Sequence, residues 1–151
     1  MARNIILFDN TELRENLLPI TFTRPVADIR FGIMTIREKW EKAFPGTYSY
    51  STVEYLSPKF PMKEENTNDD YYIAGNVCPS TALVKMLETL PTGTAIMSGD
   101  TLVAHHGKHH DNEVQLEEMP LAIKTLPDIF MLNEQALADD YRTLTAGRTS
   151  Q

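Results

Sequence analysis

The chain is predicted to fold as an α/β domain with a mostly parallel sheet and helices on both faces. Three observations support this. The run Ile5 to Phe8 is continuously apolar without alternation, as in strands buried on both faces of a parallel sheet. Strand-like and helix-like segments alternate along the chain. The segments at 33–44 and 80–90 carry apolar residues at helical spacing with charges elsewhere. At 151 residues the chain is one domain's worth, long enough to bury roughly two thirds of its unfolded surface without staples.

Taken in order, Asn4 to Phe8 is the first strand. A polar turn from Asp9 to Glu15 follows, then a loop from Asn16 to Gly32 studded with arginine and proline. A helix is expected from Ile33 to Phe44, with Ile33, Ile36, Trp40 and Phe44 on one stripe and Arg37, Glu38, Lys39 and Glu41 elsewhere. Pro45 and Gly46 end it. Thr47 to Val53 is β-branched, aromatic and alternating, hence a strand. Pro58, Pro61 and the polar run Lys63 to Asp70 mark an exposed loop, and Tyr71 to Ala74 another strand. Pro79 precedes a helix from Ser80 to Leu90 with Leu83, Met86, Leu87 and Leu90 inward.

After a turn at Pro91 to Gly93, Thr94 to Met97 is a strand and Thr101 to His105 its return partner. Gly107 to Glu118 is polar enough for a surface excursion. Pro127 and Asp128 open a last helix, with Phe130, Leu137, Tyr141 and Leu144 along one side. The domain is expected to span 1–145, with Ala146 to Gln151 a linker or a cut end.

Composition narrows the function. A formal net charge of −7 weighs against duplex nucleic acid as a partner, because such affinity rests on clustered cations. A small phosphorylated ligand needs only two or three well-placed cations and a metal. The one cysteine, Cys78, has no partner within the chain and suits a reducing cytoplasm. No apolar run approaches about 18 residues, so no membrane span is expected.

The chemistry-bearing residues concentrate at the start. A strand feeding a loop that carries Asp9, Arg14 and Arg24 before a helix is how α/β proteins build anion sites, since ligands lie beyond the carboxyl ends of the strands. Arg14 can instead pair locally with Asp9, Glu12 or Glu15, and Arg24 can brace its loop. His105, His106, His109 and His110 crowd one segment, but neighbours on a strand point to opposite faces, which disfavours four-fold convergence on a metal. Tyrosines 48, 50, 55, 71 and 72 are read as strand packing, because their neighbours Glu54, Asp69 and Asp70 are acidic where a strand-binding groove would be basic.

The text LFDNTELRENLLPITFTRPVADIRFGIMTIREKW, residues 7–40, resembles the amino-terminal signature of sugar-phosphate nucleotidyltransferases. It is most similar to a divergent branch akin to the amino-terminal domain of the bifunctional enzymes that make UDP-N-acetylglucosamine. In that family a strand leads to a Gly-rich loop ending in Gly-Thr-Arg, then Pro-Leu-Thr, then a lysine-proline pair and a helix. Counting forward from Leu7 places Arg14 at the signature arginine, whereas counting back from Pro19 places Asn16 there. Arg24-Pro25 matches the lysine-proline pair, and Ser98-Gly99-Asp100 matches a Gly-Asp pair that follows a later strand.

The resemblance implies a Rossmann-like fold and the attack of a sugar 1-phosphate on the α-phosphate of a nucleoside triphosphate, releasing pyrophosphate. It implies catalytic roles for Arg14 and Arg24, nucleotide contacts from Phe8, Asp9 and Asn10, and Mg2+ held in part by Asp100. It is compatible with a homo-oligomer and with a β-helix domain downstream. A Gly-Asp hairpin turn is the ordinary alternative for Asp100. Asp9 to Leu13 stand where the family has glycines. That departure supports a second reading, a catalytically degenerate nucleotide-binding or subunit-contact module fused to a downstream domain.

Overall fold

A computed structural model describes residues 4–9, 11–18, 20–22, 24–52, 54–56, 58–60, 62, 69–99, 101–107, 109–116 and 121–145. The elements run β1 (Asn4–Phe8), α1 (Thr11–Asn16), β2 (Arg30–Phe31), β3 (Met34–Thr35), α2 (Ile36–Ala43), β4 (Thr47–Ser51), β5 (Tyr71–Ala74), α3 (Thr81–Glu88), β6 (Thr94–Ser98), β7 (Thr101–His106), β8 (Asn112–Gln115), α4 (Leu126–Met131) and α5 (Asn133–Thr145). Six strands form one sheet in the order β4-β1-β5-β7-β6-β8, and β2 pairs with β3 in a small hairpin. β1 is parallel to β4 and β5, and β6 to β8, while β7 runs antiparallel between β5 and β6. This is the expected α/β class with a mostly parallel sheet.

The apolar run of β1 explains its position between β4 and β5. Ile5 and Leu7 lie in register with Tyr48 and Tyr50 on one side and with Tyr71 and Ile73 on the other, forming one buried face. Against it pack Ile36, Trp40 and Phe44 of the α2 region and Leu83 and Leu87 of α3. The Trp40 Nε1 donates to the Val77 carbonyl at 2.7 Å, fastening α2 to the turn that follows β5. Ile6, Tyr72 and Ala95 of the opposite face are buried too, so water reaches neither side of the sheet centre.

Several boundaries differ from the sequence expectation, each for a physical reason. Asp9 to Glu15 is not a plain turn, since α1 occupies most of it. The loop from 16 to 32 contains 3-10 turns at Ile20–Phe22 and Val26–Asp28 as well as β2. α2 starts at Ile36 because Thr35 and Glu38 form a capping box, the Thr35 hydroxyl accepting from the Glu38 amide at 3.1 Å and the Glu38 carboxylate from the Thr35 amide at 3.0 Å. Ile33, left outside the helix, is exposed.

The polar stretch after Gly107 holds β8, whose side chains are all exposed; its ladder with β6 makes it a strand despite its polarity. The last helix is two, α4 and α5. Leu137 and Tyr141, expected to face the core, are exposed, while Ala136 and Asp140 are buried. Residues 146–151, read as a linker, lie outside the described residues. No helix among the described residues is long and apolar enough to cross a membrane.

Candidate active site beyond the ends of β1 and β4

Asp9 is the first residue past β1, and its amide donates to the Ser51 carbonyl at the end of β4 at 2.9 Å. That bond carries the β1–β4 pairing one step beyond the strands and leaves the Asp9 carboxylate at their carboxyl edge. Three protein donors reach it. Arg14 Nη1 at 2.8 Å and Thr52 Oγ1 at 2.6 Å share Oδ2, and the Val26 amide donates to Oδ1 at 3.1 Å. Burial pushes the Asp9 carboxyl above the ordinary carboxylate range, opposed by the bonds from Thr52, Arg14 and Val26.

Arg14 is only 7% exposed, because α1 turns its side chain back beneath the loop. Besides Asp9, its Nη1 meets the Arg24 carbonyl at 3.1 Å and Thr52 Oγ1 at 3.3 Å. Its Nη2 donates to the Thr21 carbonyl and lies 3.4 Å from the Tyr55 hydroxyl. The Thr21 hydroxyl closes the circuit by donating to the Arg14 carbonyl at 2.6 Å. A guanidinium buried this deeply is tolerable only when paired and hydrogen-bonded, and here both terminal nitrogens are.

The consequence falls on Arg24. Its own carbonyl is held by Arg14, and the amide of Val26, two residues on, is held by Asp9, so the backbone is pinned on both sides of the buried Pro25. The Arg24 side chain projects exposed. Close packing supports this loop from beneath. The Gly75 amide donates to the Phe8 carbonyl at 2.9 Å, and a Cβ on Gly75 would sit 3.2 Å from that oxygen and 3.3 Å from the Ala27 amide nitrogen.

The structure thus brings together Asp9, Arg14 and the backbone of Arg24, with Phe8 at the same strand end and its ring 6.1 Å from that of His105. Asn10 and Asp100 lie outside the described residues. Thr52 and Tyr55 were missed in the sequence, where nothing ties them to Asp9 and Arg14; the β1–β4 pairing does.

His105 and His106 face opposite sides of the sheet as strand alternation requires, while the His110 ring lies 5.1 Å from that of His105. His105 stacks on Tyr72 (centroids 4.7 Å apart) with Nδ1 2.6 Å from the Gly107 carbonyl, and burial holds its pKa below the ordinary value. His106 stacks on Tyr71 across the sheet, its Nδ1 2.8 Å from the Leu90 carbonyl and its Nε2 3.1 Å from the Asp69 carboxylate. Among the described residues no three His, Cys, Asp or Glu side chains converge on a metal position. Of the five tyrosines read as strand packing, Tyr48, Tyr50, Tyr71 and Tyr72 are buried as expected, whereas Tyr55 is 61% exposed.

A second network lies on the far side of α2. Asp140, 2% exposed, accepts from the Ile33 and Met34 amides at 2.8 and 3.1 Å and pairs with the buried Lys39. Gly32, at φ 84°, passes so close to α5 that a Cβ would sit 2.7 Å from Asp140 Oδ2 and 2.8 Å from the Ala136 carbonyl carbon. The adjoining cleft, about 1000 Å³, is lined by Lys39, Cys78, Ser80, Lys85, Asp140 and Arg142 among others. Lys39 and Arg142 are already paired, with Asp140 and Asp139, and burial pushes the Cys78 thiol up to about 12, so it holds no reactive thiolate.

With this geometry in place, comparison with known proteins gives one family. A family model described as sugar nucleotidyl transferase matches residues 5–149. No curated protein matches the chain.

Proposed function

Because the chain belongs to the sugar nucleotidyl transferase family over residues 5–149, we propose that it moves a nucleotidyl group from a nucleoside triphosphate to a sugar 1-phosphate. An oxygen of the sugar phosphate forms a bond to the α-phosphorus, the bond from that phosphorus to the bridging oxygen breaks, and pyrophosphate leaves with the electron pair. The nucleophile is supplied by the substrate, so the protein's task is alignment and neutralisation of charge.

The observation that carries this reading is the exposed Arg24 on a backbone pinned by the buried Arg14–Asp9 pair. A guanidinium offers a fixed fork of donors to phosphate oxygens. Arg24 is the cation that meets the phosphates, and Arg14 is a positioning residue that acts through it. The negative charge of Asp9, which alone would repel a triphosphate, is matched by Arg14 at 2.8 Å. Both Asp9 oxygens are engaged by protein donors, which makes Asp9 the anchor for the Arg14 guanidinium and the Val26 amide. We propose that Asp100 would hold Mg2+, a hard cation that takes carboxylate ligands and would neutralise charge on the phosphates.

Purified protein supplied with a nucleoside triphosphate, Mg2+ and a panel of sugar 1-phosphates is expected to release pyrophosphate, and Arg24→Ala to abolish the release. No release by the unmodified protein across all bases and sugars would refute the transfer. The second reading, nucleotide binding without turnover, is favoured by one feature: α1 stands where the family has a glycine loop. It predicts saturable nucleotide binding with no pyrophosphate formed.

A further inference from the structure

Resting on the nucleotidyl-transfer reading of the site, we infer that Tyr55 is the platform on which the nucleobase of the triphosphate stacks. Tyr55 lies in the 3-10 turn Glu54–Leu56, which follows the carboxyl end of β4, at the edge where ligands of α/β sheets are received. Its neighbour Leu56 is buried and anchors the turn, yet the Tyr55 side chain stays 61% exposed. Its hydroxyl lies 3.4 Å from Arg14 Nη2, on the guanidinium whose other nitrogen holds the Arg24 carbonyl at 3.1 Å. One buried cation therefore fixes the hydroxyl end of an exposed ring and the backbone of the exposed arginine together.

Such a ring is suited to stacking. With the turn anchored and the hydroxyl tethered, little rotamer freedom remains to be lost when a ligand arrives. Its exposure leaves aromatic surface to be covered, and every nucleobase presents a π-face to an aromatic ring, whereas a sugar does not. The division of labour follows: Arg24 takes phosphate and Tyr55 takes the base. Recognition by stacking tolerates different bases, so Tyr55 sets affinity for a nucleoside and contributes little to the choice among bases.

The test compares dissociation constants of a nucleoside triphosphate, inorganic tripolyphosphate and a sugar 1-phosphate, each in Mg2+, for the full chain and its variants. Tyr55→Ala and Tyr55→Leu are expected to weaken the nucleoside triphosphate about tenfold while leaving tripolyphosphate within about twofold. Tyr55→Phe, which keeps the ring, is expected to stay within about threefold for both, and Arg24→Ala to weaken both. Equal weakening of the two by Tyr55→Ala would make Tyr55 a brace for Arg14 and overturn the inference. So would an unchanged nucleoside triphosphate, or a loss confined to the sugar 1-phosphate. If the unmodified protein binds no nucleoside triphosphate, the inference and the transfer reading fall together; if it binds and Tyr55→Ala is silent, the inference alone falls.

Discussion

Two arginines ten residues apart carry opposite burdens. Removing Arg14 leaves the buried Asp9 carboxylate without its counter-ion and takes a donor from the Thr21 and Arg24 carbonyls, so Arg14→Ala is expected to cost about 3–5 kcal/mol in urea denaturation. Arg24→Ala removes an exposed side chain and is expected to stay within about 0.5 kcal/mol of the parent, losing pyrophosphate release instead. A separate prediction concerns His105. Burial lowers its pKa, so below about 6.5 the unfolded chain takes up a proton that the folded one refuses. The histidine's contribution is complete above that pH and is eroded as pH falls towards its folded pKa. The melting temperature is expected to drop across that window, and His105→Asn to flatten the drop. The motif exposed Arg14 and Arg24 in the sequence but not which was buried, because the acceptors around Arg14 include Thr52 and Tyr55, distant in sequence and supplied by the turn after β4.

Among the elements, α5 departs furthest from expectation. Leu137 and Tyr141 keep helical spacing, and spacing alone turns them to the core; the structure turns Ala136 and Asp140 inward instead. A carboxylate that satisfies two amides and a buried lysine fixes the helix's rotation more strongly than two apolar side chains on a partly solvated face. Nothing in a hydrophobic pattern reports such an anchor, although Gly32, placed between Phe31 and Ile33, was the available sign of a close backbone approach. Gly32→Ala is expected to destabilise the protein by more than about 1 kcal/mol, through both its positive φ and the contact with Asp140 and Ala136, as measured by thermal unfolding. The start of α2 belongs to the same scale: Thr35→Ala removes one half of a capping box and is expected to cost about 1 kcal/mol.

At the scale of the molecule, the continuous apolar run of β1 and the strand–helix alternation made the α/β class legible, since burial on both faces leaves its mark directly in composition. β8 left none: its residues are exposed and polar, and only the ladder from β6 makes them a strand. Native-state hydrogen exchange is expected to follow the same division, with β1 amides protected to near the global unfolding free energy and β8 amides opening first. Protection of β8 equal to that of β1 would contradict it.

The bond between the Ile33 amide and Asp140 spans 107 residues, and this separation has a consequence for synthesis. Chains emerge from the ribosome at roughly 5–20 residues per second, so the turn at Gly32 waits several seconds for the helix that clamps it. During that interval the Lys39 ammonium has no Asp140 carboxylate to neutralise it. A nascent chain arrested before α5 emerges is therefore expected to be cleaved by added protease near Gly32, and one arrested after α5 clears the exit tunnel to resist.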